Sequence, residues 1–138
     1  MKLQVLREGQ EKIDNYEHVT TSFNKIDVSH VIDNECEEIL ATDSLDDFTA
    51  EAVPQLVHAL VSKLRLGGQV SIGGTDVRLF SKAVLNGVMT STEASQTVSS
   101  INSASCAVSV RDALESAGLQ VLDTHMNGIH FEIKARRV

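Results

Sequence analysis

The run Leu64-Arg65-Leu66-Gly67-Gly68-Gln69-Val70-Ser71-Ile72-Gly73-Gly74-Thr75-Asp76 constrains the fold of this chain more than any other segment. It reads in order as a helix end, a glycine stop, a short buried strand and an acidic loop. Just before it, Val53, Leu56, Val57, Leu60, Val61 and Leu64 recur at helical spacing, so the segment Ala52–Arg65 has one apolar face. Pro54 fits the first turn of that helix, where its missing N–H breaks no bond. A helix feeding a strand this directly is the crossover of an α/β sheet, with Val70-Ser71-Ile72 as the strand and Gly73-Gly74 as its break.

The rest of the chain extends that pattern. Leu3–Leu6 reads as a strand, and Arg7–Asn15 as a polar connection with room for one helical turn. Tyr16–Thr20, Lys25–Val31 and Cys36–Thr42 read as further strands. Asp76 can cap a second helix whose stripe is Phe80, Ala83 and Val84, closed by Asn86-Gly87. Met89–Ser105 is rich in Ser and Thr and reads as a surface loop with a short helix near Glu93–Ser100. Ser109 with Asp112 has the spacing of a capping box for a third helix, and Gly118 ends that helix. Leu119–His125 and Ile129–Ala135, joined across Asn127-Gly128, form the clearest hairpin.

At 138 residues the chain is expected to form one domain over 1–138. No apolar run of about 18 residues could span a bilayer. Met1-Lys2-Leu3 opens in a strand-like run without a secretory pattern, so a cytoplasmic protein or a virion component is expected. Twelve Lys plus Arg against nineteen Asp plus Glu give a net charge of −7, which argues against nucleic acid as a partner. The basic end Lys134-Ala135-Arg136-Arg137 reads as a solubilising strand end or terminal tail. Cys36 and Cys106 lack metal-ligand spacing and read as reduced thiols. His125 and His130 flank the hairpin turn but have no third ligand, so no metal is expected.

Between about Ile26 and Phe131 the motif order resembles that of class I S-adenosylmethionine-dependent methyltransferases, in particular the small members that accompany sugar-modifying and phage gene sets. The residues carrying the resemblance are Glu38-Ile39-Leu40-Ala41-Thr42-Asp43-Ser44-Leu45-Asp46-Asp47-Phe48, then Leu64-Arg65-Leu66-Gly67-Gly68, then Gly74-Thr75-Asp76. Val110–Val121 is similar to the family's late helix entering its last hairpin. The resemblance implies an α/β fold: a truncated, Rossmann-like sheet, mainly parallel, with a C-terminal antiparallel hairpin. It also implies that Met89–Ser105 corresponds to a substrate-side insertion.

The same resemblance marks where a cofactor would sit. Family members follow their first strand with a glycine-rich loop, whose bare backbone lets the cofactor approach a helix N-terminus. Here Leu6-Arg7-Glu8-Gly9-Gln10 supplies a single glycine and two long charged side chains. The second strand should end in an acidic residue for the ribose hydroxyls, and this one ends in Thr20-Thr21. Candidate cofactor contacts are therefore Leu6, Gly9, Thr20 and Asp43. Candidate catalytic residues are Asp43, Asp46 and Asp76, on loops at the C-terminal strand ends; the alternative for each, as for Asp47, is helix capping and loop solvation. These features lead to a degenerate, non-catalytic domain without cofactor, acting through a protein partner or self-association. The alternative is a small methyltransferase that uses S-adenosylmethionine on a sugar or other small metabolite. Loss of the early helices is expected to leave apolar strand surface exposed, favouring self-association.

Overall fold

A computed structural model describes residues 1–138. Six strands form one sheet in the order β2-β1-β3-β4-β6-β5. They are β1 (Lys2–Arg7), β2 (Glu17–Thr21), β3 (Cys36–Ala41), β4 (Leu64–Thr75), β5 (Leu119–Asn127) and β6 (His130–Arg137). The first four are mutually parallel, and β6 runs antiparallel to both β4 and β5. The expected parallel sheet with a C-terminal antiparallel hairpin is thus the observed one.

Helices α1 (Val53–Lys63) and α4 (Ala107–Ser116) cover one face. Leu56, Val57 and Leu60 of α1 and Val110 and Leu114 of α4 are buried in one cluster with Leu3, Val5, Ile39, Val70, Ile72 and Ile133 of the strands. Apolar spacing along α1 thus does what its periodicity predicts. Two further helices, α2 (Val77–Leu85) and α3 (Ser91–Ser100), bury no residue at all. The stripe of Phe80, Ala83 and Val84 therefore lies on a helix that contributes nothing to the buried core. Thr90 and Glu93 form a full capping box that starts α3.

Several boundaries move. Helix α1 ends at Lys63 and enters β4 without a glycine stop. Gly67 and Gly68 belong to a bulge, because Arg65–Gly68 of β4 oppose only Glu37 between the paired residues of β3. A Cβ on Gly68 would lie 2.7 Å from the Cys36 carbonyl oxygen, which is why that position takes no side chain. Nor does Gly73-Gly74 break the strand; both glycines stay in register with Glu132 and Phe131 of β6. Lys25–Val31 is not a strand. Ser29 donates its amide and hydroxyl to Asp27, and Val31 N bonds Val28 O, so local turns win over a ladder there. The third helix starts one turn early, at Ala107, so Ser109 sits inside it and the Ser109–Asp112 box does not form. The basic stretch Lys134–Arg137 forms the end of β6, which lies between β4 and β5.

The second sheet face carries no helix. In register across it stand Gln4, Leu40, Ser71 and Lys134, and beside them Glu38, Gln69, Arg136 and Gln120. This corrects the expectation of exposed apolar strand: the face is uncovered and polar. No helical turn fills Arg7–Asn15. Instead the loop lies back on the sheet, clamped by Gln4, whose Nε2 donates to Glu11 O at 3.0 Å and whose Oε1 accepts from Ile13 N at 2.8 Å. Tyr16 closes the loop by donating to Glu38 at 2.9 Å.

Candidate functional site

In an open α/β sheet ligands bind beyond the C-terminal strand ends, where the strand order reverses. Here that point lies between β1 and β3. The chain leaves β3 through Asp43 and a single 3₁₀ turn, Ser44–Asp47, all of whose residues are buried. Gly74 lets the turn settle on β4, since a Cβ there would lie 2.8 Å from Leu45 Cβ and 3.0 Å from Asp46 Oδ1. Ser44 anchors the turn from the other side through Oγ donating to Val5 O at 3.0 Å.

The turn aims two carboxylates into the crevice. Asp47 Oδ1 accepts from Arg7 Nε at 3.1 Å and from Asn102 Nδ2 at 2.8 Å, while its Oδ2 accepts from Thr21 Oγ1 at 2.6 Å. Asp46 accepts from Thr75 N at 2.7 Å and Thr75 Oγ1 at 3.3 Å, and lies 3.7 Å from Arg7 Nη1. Burial pushes the Asp46 carboxyl above its ordinary value, against the pull of the Thr75 bonds and the Arg7 charge. Arg7 also donates to Ser100 O at 3.1 Å, and the amides of Asn102 and Ser103 both bond Asp46 O. One guanidinium therefore ties the end of β1 to the turn after β3 and to the segment after α3.

The predicted site residues separate into three groups. Asp46 joins the buried network, as does Thr21, the neighbour of Thr20; Thr20 itself is exposed. Leu6 is buried, and Gly9 sits in the turn after β1 at φ +83°. Asp76 lies apart, at the end of β4, and is fully used by the backbone. Its Oδ1 accepts from Arg78 N and Leu79 N, and its Oδ2 from Ala107 N at 3.0 Å, so one carboxylate caps α2 and holds the start of α4. Asp43 is the accessible one. It accepts from His130 Nε2 at 2.9 Å, and the same nitrogen is 2.9 Å from Thr42 O. No three His, Cys, Asp or Glu side chains converge as metal ligands.

Sequence reasoning did not find Asn102, which reaches Asp47 from 55 residues away with no motif to announce it. His130 was visible only as a hairpin flank. A cleft of about 370 Å³ remains beside the network, lined by Arg7, Glu8, Thr21, Ser22, Phe23, Asp47 and Asn102. A larger one, about 560 Å³, lies between the loop after β2 and α1 and touches neither carboxylate. The chemistry-bearing groups thus gather in the smaller cleft.

By sequence the chain matches no family profile and no curated protein. By structure it is similar to several methyltransferases. Magnesium protoporphyrin IX methyltransferase from Synechocystis PCC 6803, solved with bound SAH, superposes with TM-score 0.59 at 13% identity over 89% of this chain and 52% of its own. An S-adenosylmethionine-dependent methyltransferase from Mesorhizobium loti gives TM-score 0.62 at 11% identity, over 91% of this chain and 72% of that one. One from Archaeoglobus fulgidus gives 0.63 at 10% identity, over 98% and 86%. The chain spans about half the length of the Synechocystis protein. The fold is therefore that of class I S-adenosylmethionine-dependent methyltransferases. No helix is long and apolar enough to cross a membrane.

Proposed function

We propose that this chain is a methyltransferase-fold domain that performs no chemistry at its cofactor crevice and acts through contacts with a protein partner or a second copy. The observation that carries this reading is the position of Arg7. A cofactor approaching the loop after β1 needs backbone there and little else. It would meet a guanidinium already bound to Asp47, Asp46 and Ser100. Moving that group aside would strand two buried carboxylates, and breaking a buried pair costs about 3 to 5 kcal/mol. A loss of that size weakens binding by roughly two to four decades, since each 1.4 kcal/mol is tenfold. Thr21 deepens the deficit: its hydroxyl is committed to Asp47, where a ribose would need a free acidic acceptor. Two unpaired thiols, Cys36 and Cys106, accord with a cytoplasmic or virion setting.

A second reading is favoured by one specific observation. His130 and Asp43 pair at the open end of the sheet, partly exposed, as a base for a methyl acceptor would be. In that reading the chain is a small methyltransferase acting on a sugar or other small metabolite with S-adenosylmethionine. The deciding experiment is calorimetric titration of S-adenosylmethionine into the purified chain. No saturable binding is expected up to millimolar cofactor. A micromolar dissociation constant would overturn the first reading in favour of the second.

A further inference from the structure

A second cleft lies away from this crevice, where the N-termini of α1 and α4 converge. It encloses about 440 Å³ and is mainly apolar, with Val53, Pro54, Val77, Val110 and Ala113 among its walls. That volume falls within the range of small-molecule pockets. Neither Ala52 nor Cys106 makes a side-chain capping bond, and neither first turn contains an acidic residue. The α4 end is met from outside its own turn, where Ala107 N donates to Asp76 Oδ2 at 3.0 Å, and the other first-turn amides of α4 lie beyond that bond.

Cys106 is half-buried and lines the cleft at the N-cap of α4. Its sulfur closes no regular capping bond. Even so, the Ser109 amide first, with the Val108 amide, the Ser109 hydroxyl and the charge of Arg78, holds the thiol below its ordinary value against the opposing effect of burial. An independent feature lies next to it. Ser105 lines the same cleft, is 4% exposed, and its Oγ has no hydrogen-bond partner. Buried hydroxyls are almost always satisfied, so an orphan beside a nucleophile indicates an acceptor that is to be supplied from outside.

We propose that Cys106 is an acyl-acceptor site, with the apolar cleft taking the chain of an acyl thioester and the α4 amides with Ser105 Oγ facing its carbonyl. Cys106 loses its proton to water, and Sγ attacks the thioester carbonyl carbon. The carbonyl electron pair moves to oxygen, where the Val108 and Ser109 amides, which Asp76 does not occupy, and the Ser105 hydroxyl stabilise it. Collapse breaks the bond to the leaving thiol, which leaves as thiolate and takes a proton from water. One thioester is consumed and one is formed, so no oxidant or other reactant is required. The inference does not depend on whether the crevice at β1 binds a cofactor.

The test uses the whole chain with octanoyl-coenzyme A and acetyl-coenzyme A as probes, followed by intact mass and peptide mapping. One octanoyl group is expected on Cys106, formed at least tenfold faster than on free cysteine and at least tenfold faster than the acetyl group. Cys106→Ser should remove the adduct, while Cys36→Ser should leave it. Ala113→Leu, which fills the cleft, should abolish the preference for the longer chain. Equal octanoyl and acetyl rates on the unmodified protein would overturn the proposal without any variant. Labelling of Cys36 or of lysines in place of Cys106 would do the same.

Discussion

On one face of the sheet Leu3, Ile39, Val70 and Ala135 stand in register beneath α1 and α4; on the other, Gln4, Leu40, Ser71 and Lys134 stand in register beneath a loop and solvent. Parallel strands are normally apolar on both sides because crossover helices cover both faces. Here they alternate, as antiparallel strands with one wet face do. The contrast teaches how a chain of this length keeps a fold whose early helices it lacks. It leaves little apolar surface bare, because most of the alternate residues on this face are polar, Leu40 being the half-buried exception in its row. One buried glutamine then holds a nine-residue loop where a helix would have packed, Gln4 serving as donor to Glu11 and acceptor from Ile13.

The sharpest way to break the comparison is to truncate one side chain to alanine on each side. Leu60, 1% exposed on the inner face of α1, should cost about 2 to 5 kcal/mol when changed to Ala, through lost burial and the cavity left behind. Ser71→Ala, in mid-strand on the polar face, should stay within about 0.5 kcal/mol. Denaturant unfolding of both variants measures the difference, and similar losses would mean that the polar face is covered in solution. Next in size is Gly74→Ala. Its Cβ would press on Leu45 Cβ and the Asp46 carboxylate, both fixed by the buried turn. A loss of about 1 to 3 kcal/mol is expected from such overpacking. Gly9→Ala is the control, because nothing lies within 4 Å of its added Cβ and only the positive φ is disfavoured. A larger loss at Gly9 than at Gly74 would contradict the close approach of the turn.

How far the sequence revealed this depends on whether the causes were local. The stripe along α1, the Asp76 cap and the hairpin turn are set by residues a few positions apart; the first two are found where the spacing places them, and the turn falls one residue later than Asn127-Gly128, on Gly128-Ile129, with Asn127 paired to His130. Polarity of the second face was also written in the strands, as the alternation of Gln4, Leu40, Ser71 and Lys134. It was obscured because parallel strands are normally apolar on both sides, so the uncovered face was expected to be apolar. Arg7 and Glu8 were legible as obstacles to a cofactor. That Arg7 would be neutralised by Asp46 and Asp47 was not legible, since those partners lie about 40 residues away. Asn102 and His130 reach their carboxylates from farther still, over 55 and 87 residues. Pairings set by tertiary approach leave no periodic mark in the chain.

The clamp on the polar face gives a smaller effect than either core change. Gln4→Ala leaves Ile13 N and the Glu11 carbonyl without partners at a site water can partly reach, so about 1 to 2 kcal/mol is expected from two lost bonds. Hydrogen exchange should place the loss in the loop, with the Ile13 amide exchanging faster and the amides of α1 unchanged. Protection lost equally from α1 would show that the two faces are one cooperative unit and not separable layers.

The least of the expected effects lies at the rim where the two faces meet, in the charge on Asp46. Burial raises its carboxyl above the ordinary aspartate value of about 3.9, while Thr75 and Arg7 offset only part of that penalty. Between the unfolded and the raised folded value, the folded chain holds a proton that the unfolded chain has released. Stability contributed by the protonated form is therefore complete below about pH 3.9 and declines as pH rises through the folded value. Asp46→Asn keeps the size and an acceptor for Thr75 N, but has no proton to lose. Its unfolding free energy should lack the fall that the unmodified chain shows over this window, while Arg7 keeps Asp47 as its nearer partner. Profiles of both proteins from pH 3 to pH 7 by urea denaturation measure the difference, a window set by the ordinary carboxylate range. Parallel profiles would mean that Asp46 is better solvated than its burial under Gly74 and Thr75 implies, and that the crevice at β1 is open enough to admit a ligand after all.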